Sequence, residues 1–144
     1  MAARNDPFAA FNFLVEIDNI AKASFSEVSG LDVEVAAIEY REGGENVLTV
    51  RKLPGLAKYT NITLKRGYTA DLSLWKWIKG VIDGKVQRAN VAITLLNDQR
   101  QPVVRWQVRE AWPCKYEGPD LNAKANDVAI ETLEICHEGL ERVE

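Results

Sequence analysis

Apolar residues recur at every second position over most of this chain, and that period commits it to strands rather than helices. In "FNFLVEID", Phe11, Phe13, Val15 and Ile17 fall on one face, while Asn12, Glu16 and Asp18 fall on the other with Leu14. "SFSEVSGLDVEVAAIEY" continues the style, with Leu31, Val33 and Val35 opposed to Asp32 and Glu34. The alternation slips at Ala36 and Ala37, after which Ile38 and Tyr40 become the large residues, which predicts a bulge or bend. "VLTVRKL" reads as a further strand that "PG" breaks, and "NITLKRG" as another with Ile62 and Leu64 inward. "NVAITLLND", a "DQRQ" turn and "PVVRWQVREAW" form a predicted hairpin, with Val104, Trp106 and Val108 on one face. "PCKYEGPDLNAKAND" reads as irregular, and "VAIETLEICHEGLERV" as one last long strand.

One segment changes period. In "TADLSLWKWIKGVIDGK", Leu74, Ile78 and Val81 follow helical spacing, with Trp75 and Ile82 widening the stripe and Lys76, Lys79 and Asp83 outside it. A helix is expected over about 71–83, capped by Thr69 or Asp71 and ended by Gly84 in the left-handed conformation. Gly80 inside it costs about 1 kcal/mol relative to Ala. The expected class is mainly β: a small antiparallel β-barrel or a two-sheet sandwich with one flanking helix.

The 144 residues, 47% apolar, fit a single domain with its own core. No apolar run approaches the roughly 20 residues that span a bilayer, and "MAARNDPFAAFNF" has no apolar run behind its Arg, so synthesis in the cytosol is expected. The net charge of −3 offers little to a polyanion, because nucleic-acid affinity comes mostly from neutralised phosphates. Cys114 and Cys136 lie far apart without paired-cysteine spacing, so reduced thiols are expected, Cys136 the more buried.

The residues do not assemble an evident catalytic set. His137 is the only histidine, and its neighbour Cys136 points to the opposite face of the expected strand, so a Cys–His pair is disfavoured. Glu131, Glu134, Glu138 and Glu141 read as a solvated face that keeps a sheet edge soluble. The glycines of "REGGEN", "LPGL" and "EGPDL" are turn glycines without the spacing of a phosphate loop. Trp75 and Trp106 fall on apolar faces and are expected in the core, whereas Trp77 and Trp112 are open to packing or subunit contact. No catalytic, cofactor-binding or metal-ligating residue is assigned.

The ordered set "FNFLVEIDNIAKASFSEVSGLDVEVAAIEYREGGEN", "KLPGLAKYTNITLKRGYT", "LWKWI", "RANVAITLLND" and "RWQVREAWPCKYEGPDLNAKANDVAIETLEICHEGLERV" resembles the tail-tube protein family of contractile phages and phage-tail-like injection systems, from about Phe11 to the C-terminus. The resemblance implies one tail-tube domain over 1–144, similar in fold to the type VI secretion ring protein, that forms hexameric rings stacked into a hollow tube. It implies no catalysis and no cofactor. The implied partners are further copies of the chain, a contractile sheath protein, baseplate and spike proteins, and a toxin protein or DNA as cargo in the lumen. Neither specific nucleic-acid binding nor stable membrane insertion is implied. The subunit would be made in the bacterial cytoplasm and assembled into a virion tail or a released particle.

Within that frame the "EYREGGENV" hairpin is expected to project as an arm over about 36–52 and to tie adjacent rings together. The contact residues carried over are Glu39, Tyr40, Arg41, Glu42, Gly43, Gly44, Glu45 and Asn46, with Gly43 and Gly44 permitting the reversal. A two-stranded hairpin is marginal alone in water, so Ile38, Tyr40, Val47 and Leu48 need a partner surface. A solvent-facing loop is the competing reading of these residues. The competing functions are a carbohydrate-binding β-sandwich that uses exposed Trp, and a small hydrolase that uses Cys136 or His137.

Overall fold

The computed structural model describes residues 6–41, 43–44, 49–124 and 126–144. Among them the period-two stretches become ten strands and the helical-period stretch one helix: β1 (Phe13–Ile17), β2 (Ala21–Ala23), β3 (Glu27–Ser29), β4 (Val33–Tyr40), β5 (Arg51–Tyr59), β6 (Ile62–Gly67), α1 (Ser73–Ile82), β7 (Ala89–Leu96), β8 (Pro102–Glu117), β9 (Ile130–Cys136) and β10 (Gly139–Arg142). Eight strands form an antiparallel sheet in the order β2-β1-β7-β8-β9-β6-β3, with β10 also on β8, and β4 and β5 pair only with each other. The mainly β, antiparallel class with one flanking helix is as expected. The sheet does not close into a barrel, because its ends β2 and β3 do not pair with each other. Its two halves share one core, in which Val15, Ile17, Val91 and Ile93 meet Ile62, Leu64, Leu133 and Ile135.

β8 is the strand that makes this possible. Its first half lies between β7 and β10, and its second half pairs with β9. Besides a register shift at its very start, opposite Leu95 and Leu96, two bulges interrupt it. At the first, Glu110 takes φ +54° and its N–H donates to Asn90 Oδ1 at 3.4 Å; at the second, the register shifts between Pro113 and Lys115. Each bulge adds one residue and exchanges the inward and outward positions. Val104 and Val108 therefore face the core before the first bulge, Ala111 and Pro113 after it, and Tyr116 packs inward after the second.

Three expectations fail for related reasons. The segment after Trp112 was expected to be irregular, but β8 runs on to Glu117. Pro113 is tolerated more readily because, among the described residues, only β9 lies beside that half, so one side of its backbone has no ladder to lose. Pro54 and Gly55 were expected to break a strand, yet β5 continues through them, again with only one neighbouring strand. The single long C-terminal strand divides at His137 and Glu138 into β9 and β10.

Helix α1 is slightly shorter than the expected 71–83. Leu74, Trp77 and Ile78 form its buried face, so Trp77 is the core tryptophan, whereas Trp75 is 43% exposed and Ile82 64%. Trp77 Nε1 donates to the Gln87 carbonyl at 2.7 Å. Leu72 occupies the N-cap without a side-chain bond; Asp71, one residue earlier, accepts from the Ser73 N–H at 3.0 Å and the Ser73 hydroxyl at 2.9 Å. Gly84, at φ +81°, closes a paired C-terminal turn: its N–H donates to the Val81 carbonyl and that of Lys85 to the Gly80 carbonyl. A Cβ on Gly80 would stand 3.0 Å from the Lys85 carbonyl, which accounts for glycine inside the helix.

A buried polar cluster fastens the helix to the sheet. The Arg66 side chain, 5% exposed, reaches from β6; its Nε donates to Glu131 Oε1 on β9, and its Nη1 donates to Asp71 Oδ2 at 3.1 Å. Tyr116 of β8 donates to Glu131 Oε2 at 2.7 Å, the edge of Trp75 meets the Tyr116 ring, and Phe25 lies 5.7 Å under the guanidinium. Hydrogen bonds from Ser73 and the charge of Arg66 hold the Asp71 carboxyl below the usual range. Burial and the Glu131 carboxylate push the Tyr116 phenol upward.

The ribbon β3–β6 extends beyond the body as β4–β5. Ser29 pairs with Thr63, then Gly30 to Asp32 and Thr60 to Asn61 form a joint, and the ladder resumes at Val33 opposite Tyr59. Gly30 adopts φ +93°, and a Cβ there would sit 2.2 Å from the Asn61 carbonyl oxygen. The Thr60 N–H donates to the Asp32 carbonyl at 3.4 Å, His137 Nε2 donates to the Thr60 carbonyl at 3.0 Å, and Asn61 Nδ2 donates to Glu134 Oε2 at 3.2 Å.

Arg66→Met, which strands two carboxylates, is expected to lower the unfolding free energy of the unassembled chain in urea by about 3–5 kcal/mol. The double change Arg66→Met with Glu131→Leu should recover a large part of that loss. Gly30→Ala is expected to cost at least about 1–3 kcal/mol from backbone strain alone, read as a lower denaturation midpoint.

Candidate functional site

The most unusual surface is the β4–β5 ribbon, because all eight residues of β4 are exposed. At about 3.3 Å per residue it reaches roughly 26 Å from its root, far beyond a tight turn. Exposed Val33, Val35, Ile38, Tyr40, Leu53 and Leu56 stand on it, Leu56 at 87%. Leaving so many large apolar side chains in water on a two-stranded ribbon marks an interaction surface.

Alternation sorts these residues by face. Val33 and Val35 stand opposite Tyr59 and Ala57, and Glu39 opposite Lys52, all on one face. The other face carries Glu34 opposite Lys58, then Ile38 opposite Leu53 and Tyr40 opposite Arg51. The bulge expected at Ala36 and Ala37 is present: between the Val35–Ala57 and Ala37–Pro54 pairs, β5 spends two residues, Gly55 and Leu56, against one on β4. A Cβ on Gly55 would stand 3.0 Å from the Ala36 carbonyl and 3.1 Å from the Ile38 side chain, so glycine lets the ribbon close there.

Of the residues carried over to the arm, Glu39 and Tyr40 end β4, Arg41 follows them, and Gly43 and Gly44 lie in a turn with open space around their Cα atoms. Glu42, Glu45 and Asn46 lie outside the described residues, as do Val47 and Leu48. Val33, Val35 and Leu53 fall in expected strands without a contact role, and Leu56 lies beyond the expected Pro-Gly break. The signal available for them was the alternation slip at Ala36 and Ala37.

The residues considered for catalysis have other roles. Cys114 and Cys136 are both half-buried rather than Cys136 alone being covered. Burial, then hydrogen bonding to Cys136, push the Cys114 thiol up to about 12, so it is not a thiolate at neutral pH. His137 binds the Thr60 carbonyl and packs against Tyr59, with ring centroids 5.6 Å apart. The four tryptophans form no platform: Trp77 is buried, Trp106 and Trp112 are half-buried, and Trp75 stands edge-on to Tyr116. Among the described residues, no group of three His, Cys, Asp or Glu is placed to hold a metal ion. No described helix is long and apolar enough to cross a membrane.

The fold has known counterparts. Residues 9–141 match the family described as T4-like virus tail tube protein gp19. No curated protein sequence matches. A chain in the cryo-EM structure of an extracellular contractile injection system, the PVC sheath–tube complex in the extended state, is similar at 30% identity and TM-score 0.85, over 94% of this chain and 90% of that one. A chain of the anti-feeding prophage cap, the AFP tube terminating cap, is similar at 26% identity and TM-score 0.88, over 99% of this chain and 94% of that one. Hcp1 from Flavobacterium johnsoniae shares the fold, at 12% identity and TM-score 0.59, over 92% of this chain and 95% of that one. With a match that spans residues 9–141, the chain belongs to the T4-like tail tube protein family, as a structural tube subunit.

Proposed function

We propose that this chain forms hexameric rings that stack into the inner tube of a phage-tail-like contractile injection particle. The observation that carries this reading is the 30% identity to a chain of an extracellular contractile injection system over 94% of the present chain. A sheath protein surrounds the tube, baseplate and spike proteins seat and tip it, and a toxin protein or DNA occupies the lumen. The subunit is made in the bacterial cytoplasm and performs no chemistry itself; sheath contraction supplies the force.

The β4–β5 arm, with Glu39, Tyr40, Arg41, Gly43 and Gly44 near its tip, is the contact that ties adjacent rings together, and the same role is proposed for Glu42, Glu45 and Asn46, which lie outside the described residues. Support comes from the apolar residues that the arm leaves in water. A ring closes when the rotation between copies returns to its start, whereas face-to-face stacking has no closure and extends. Among the described residues, β2 and β3 are the end strands of the sheet, each with one neighbouring strand, a form of edge that pairs with a strand of another copy.

Negative-stain images of the purified chain, alone and with a baseplate seed, are expected to show rings and long hollow tubes. Deleting Arg41 to Glu45 should leave the circular dichroism spectrum intact while shortening or abolishing the tubes. A chain that stays a single small species at every concentration, seeded or not, would overturn the proposal.

A further inference from the structure

The fold brings the two cysteines, distant in the chain, onto one face of the sheet. On β9, Leu133 and Ile135 are fully buried, so Glu134 and Cys136 point by alternation to the opposite, half-buried face. Cys114 is the extra residue of the second β8 bulge, between Pro113, opposite Ile135, and Lys115, opposite Glu134. Its sulfur lies on the face of Glu134 and Cys136. The thiol donates to the Glu134 carbonyl at 3.5 Å and stands 3.7 Å from Glu134 Oε2, while Asn61 Nδ2 donates to the sulfur at 3.8 Å. The Cys114 and Cys136 thiols are also in hydrogen-bonding contact with each other.

A regular ladder would not make this contact. Cys136 stands opposite Trp112, so Cys114 is its diagonal neighbour, and diagonal neighbours in a regular antiparallel pair are about 7–8 Å apart. A disulfide needs Cα atoms within about 4.4–6.8 Å. The bulge removes the difference: it raises the local twist, and its extra residue has no ladder bond of its own to hold it in place. The same freedom lets the Cys114 sulfur close from contact to a bond of about 2.05 Å without a change of register.

We propose that Cys114 and Cys136 are an oxidant-responsive dithiol, which a small-molecule disulfide closes into one intrachain disulfide across β8 and β9 and a thiol reductant reopens. Cys136 is the point of entry, because Cys114 keeps its proton: burial, then the contact with Cys136, push that thiol up to about 12, and the Glu134 carboxylate faces it. The Cys136 thiolate attacks one sulfur of the small disulfide and expels a small thiolate, which leaves a mixed disulfide. The Cys114 sulfur then attacks the Cys136 sulfur, passes its proton to the Glu134 carboxylate and expels the second small thiolate. Two electrons thus reach the small disulfide, which departs as two thiols carrying the protons of Cys136 and Cys114. The new bond closes a loop of about 20 residues that contains the irregular segment after Glu117, and it restricts the unfolded chain far more than the folded one. A subunit made in a reducing cytosol and carried outside in a particle meets both sides of this equilibrium. For that timing, though not for the chemistry, the inference rests on the reading above.

The test incubates the folded, unassembled chain with oxidised glutathione at neutral pH and reads its mass without reduction. The chain is expected to lose the mass of two hydrogens, to yield on digestion a peptide pair joined through Cys114 and Cys136, and to melt roughly 10 °C higher until dithiothreitol is added. Cys114→Ser is expected to hold one glutathione on Cys136, and Cys136→Ser to stay unmodified. A folded chain that keeps both thiols free, carries glutathione on both, or links to a second chain instead of within itself would overturn the dithiol, and an adduct trapped by Cys136→Ser would overturn the order of attack. Should a serine variant fail to fold, the peptide map and melting shift of the unaltered chain decide the matter. Tubes are not needed for any readout, so a failed closure leaves the tube reading standing and absent tubes leave the dithiol standing.

Discussion

Arg66 is the residue around which the body is organised. A guanidinium this deeply covered persists only if its charge is met, and Glu131 and Asp71 meet it at Nε and Nη1 from β9 and the approach to α1, with the face of Phe25 against it from the segment after β2, while the buried Nη2 finds no partner among the described residues. Tyr116 closes the set by donating to the second oxygen of Glu131. One side chain thus couples three strands and the helix start. A core of Leu, Ile and Val alone is non-directional and tolerates small slips, whereas this cluster accepts one arrangement of β6, β8 and β9. The joint at Gly30 and Asn61 lies at the other end of β6, so the register fixed at Arg66 also sets where the ribbon leaves the body.

Much of this was legible in the alternation. Val15, Ile17, Ile62, Leu64, Val104 and Val108 are core residues, as their parity indicated, and Gly84 sits in the left-handed conformation that a helix end favours. The failures cluster where parity is interrupted. Glu110 and Cys114 each insert a residue into β8, so a reader counting by twos loses the strand at Trp112. Pro54 and Pro113 carry a strong breaking signal that holds only for a strand flanked on both sides, and a sequence does not state how many neighbours a strand has. The exchange of Trp75 and Trp77 has a similar origin: both positions lie near the apolar stripe, and the choice is made by Gln87, whose carbonyl receives the indole N–H. The Arg66 cluster was not legible at all, since nothing local distinguishes the Arg of "LKRG" from a solvated strand end.

The arm obeys the opposite logic to the body. The body hides its large apolar residues within one chain, whereas β4 and β5 keep theirs outside and spend charged pairs on keeping the free subunit soluble. A subunit that must wait in solution and later assemble needs both properties. The Glu–Lys rungs also guard against indiscriminate edge pairing, because each apolar patch is short and flanked by charge on the same face.

The continuity of β3–β4 with β5–β6 has a mechanical consequence. Because the arm extends the body's own ladder, tension along it runs parallel to the strands and is shared among many cross-strand hydrogen bonds at once, whereas a pull across the strands would open them one after another. A pull along the ribbon therefore meets its resistant direction, and a pull across it meets the weak one.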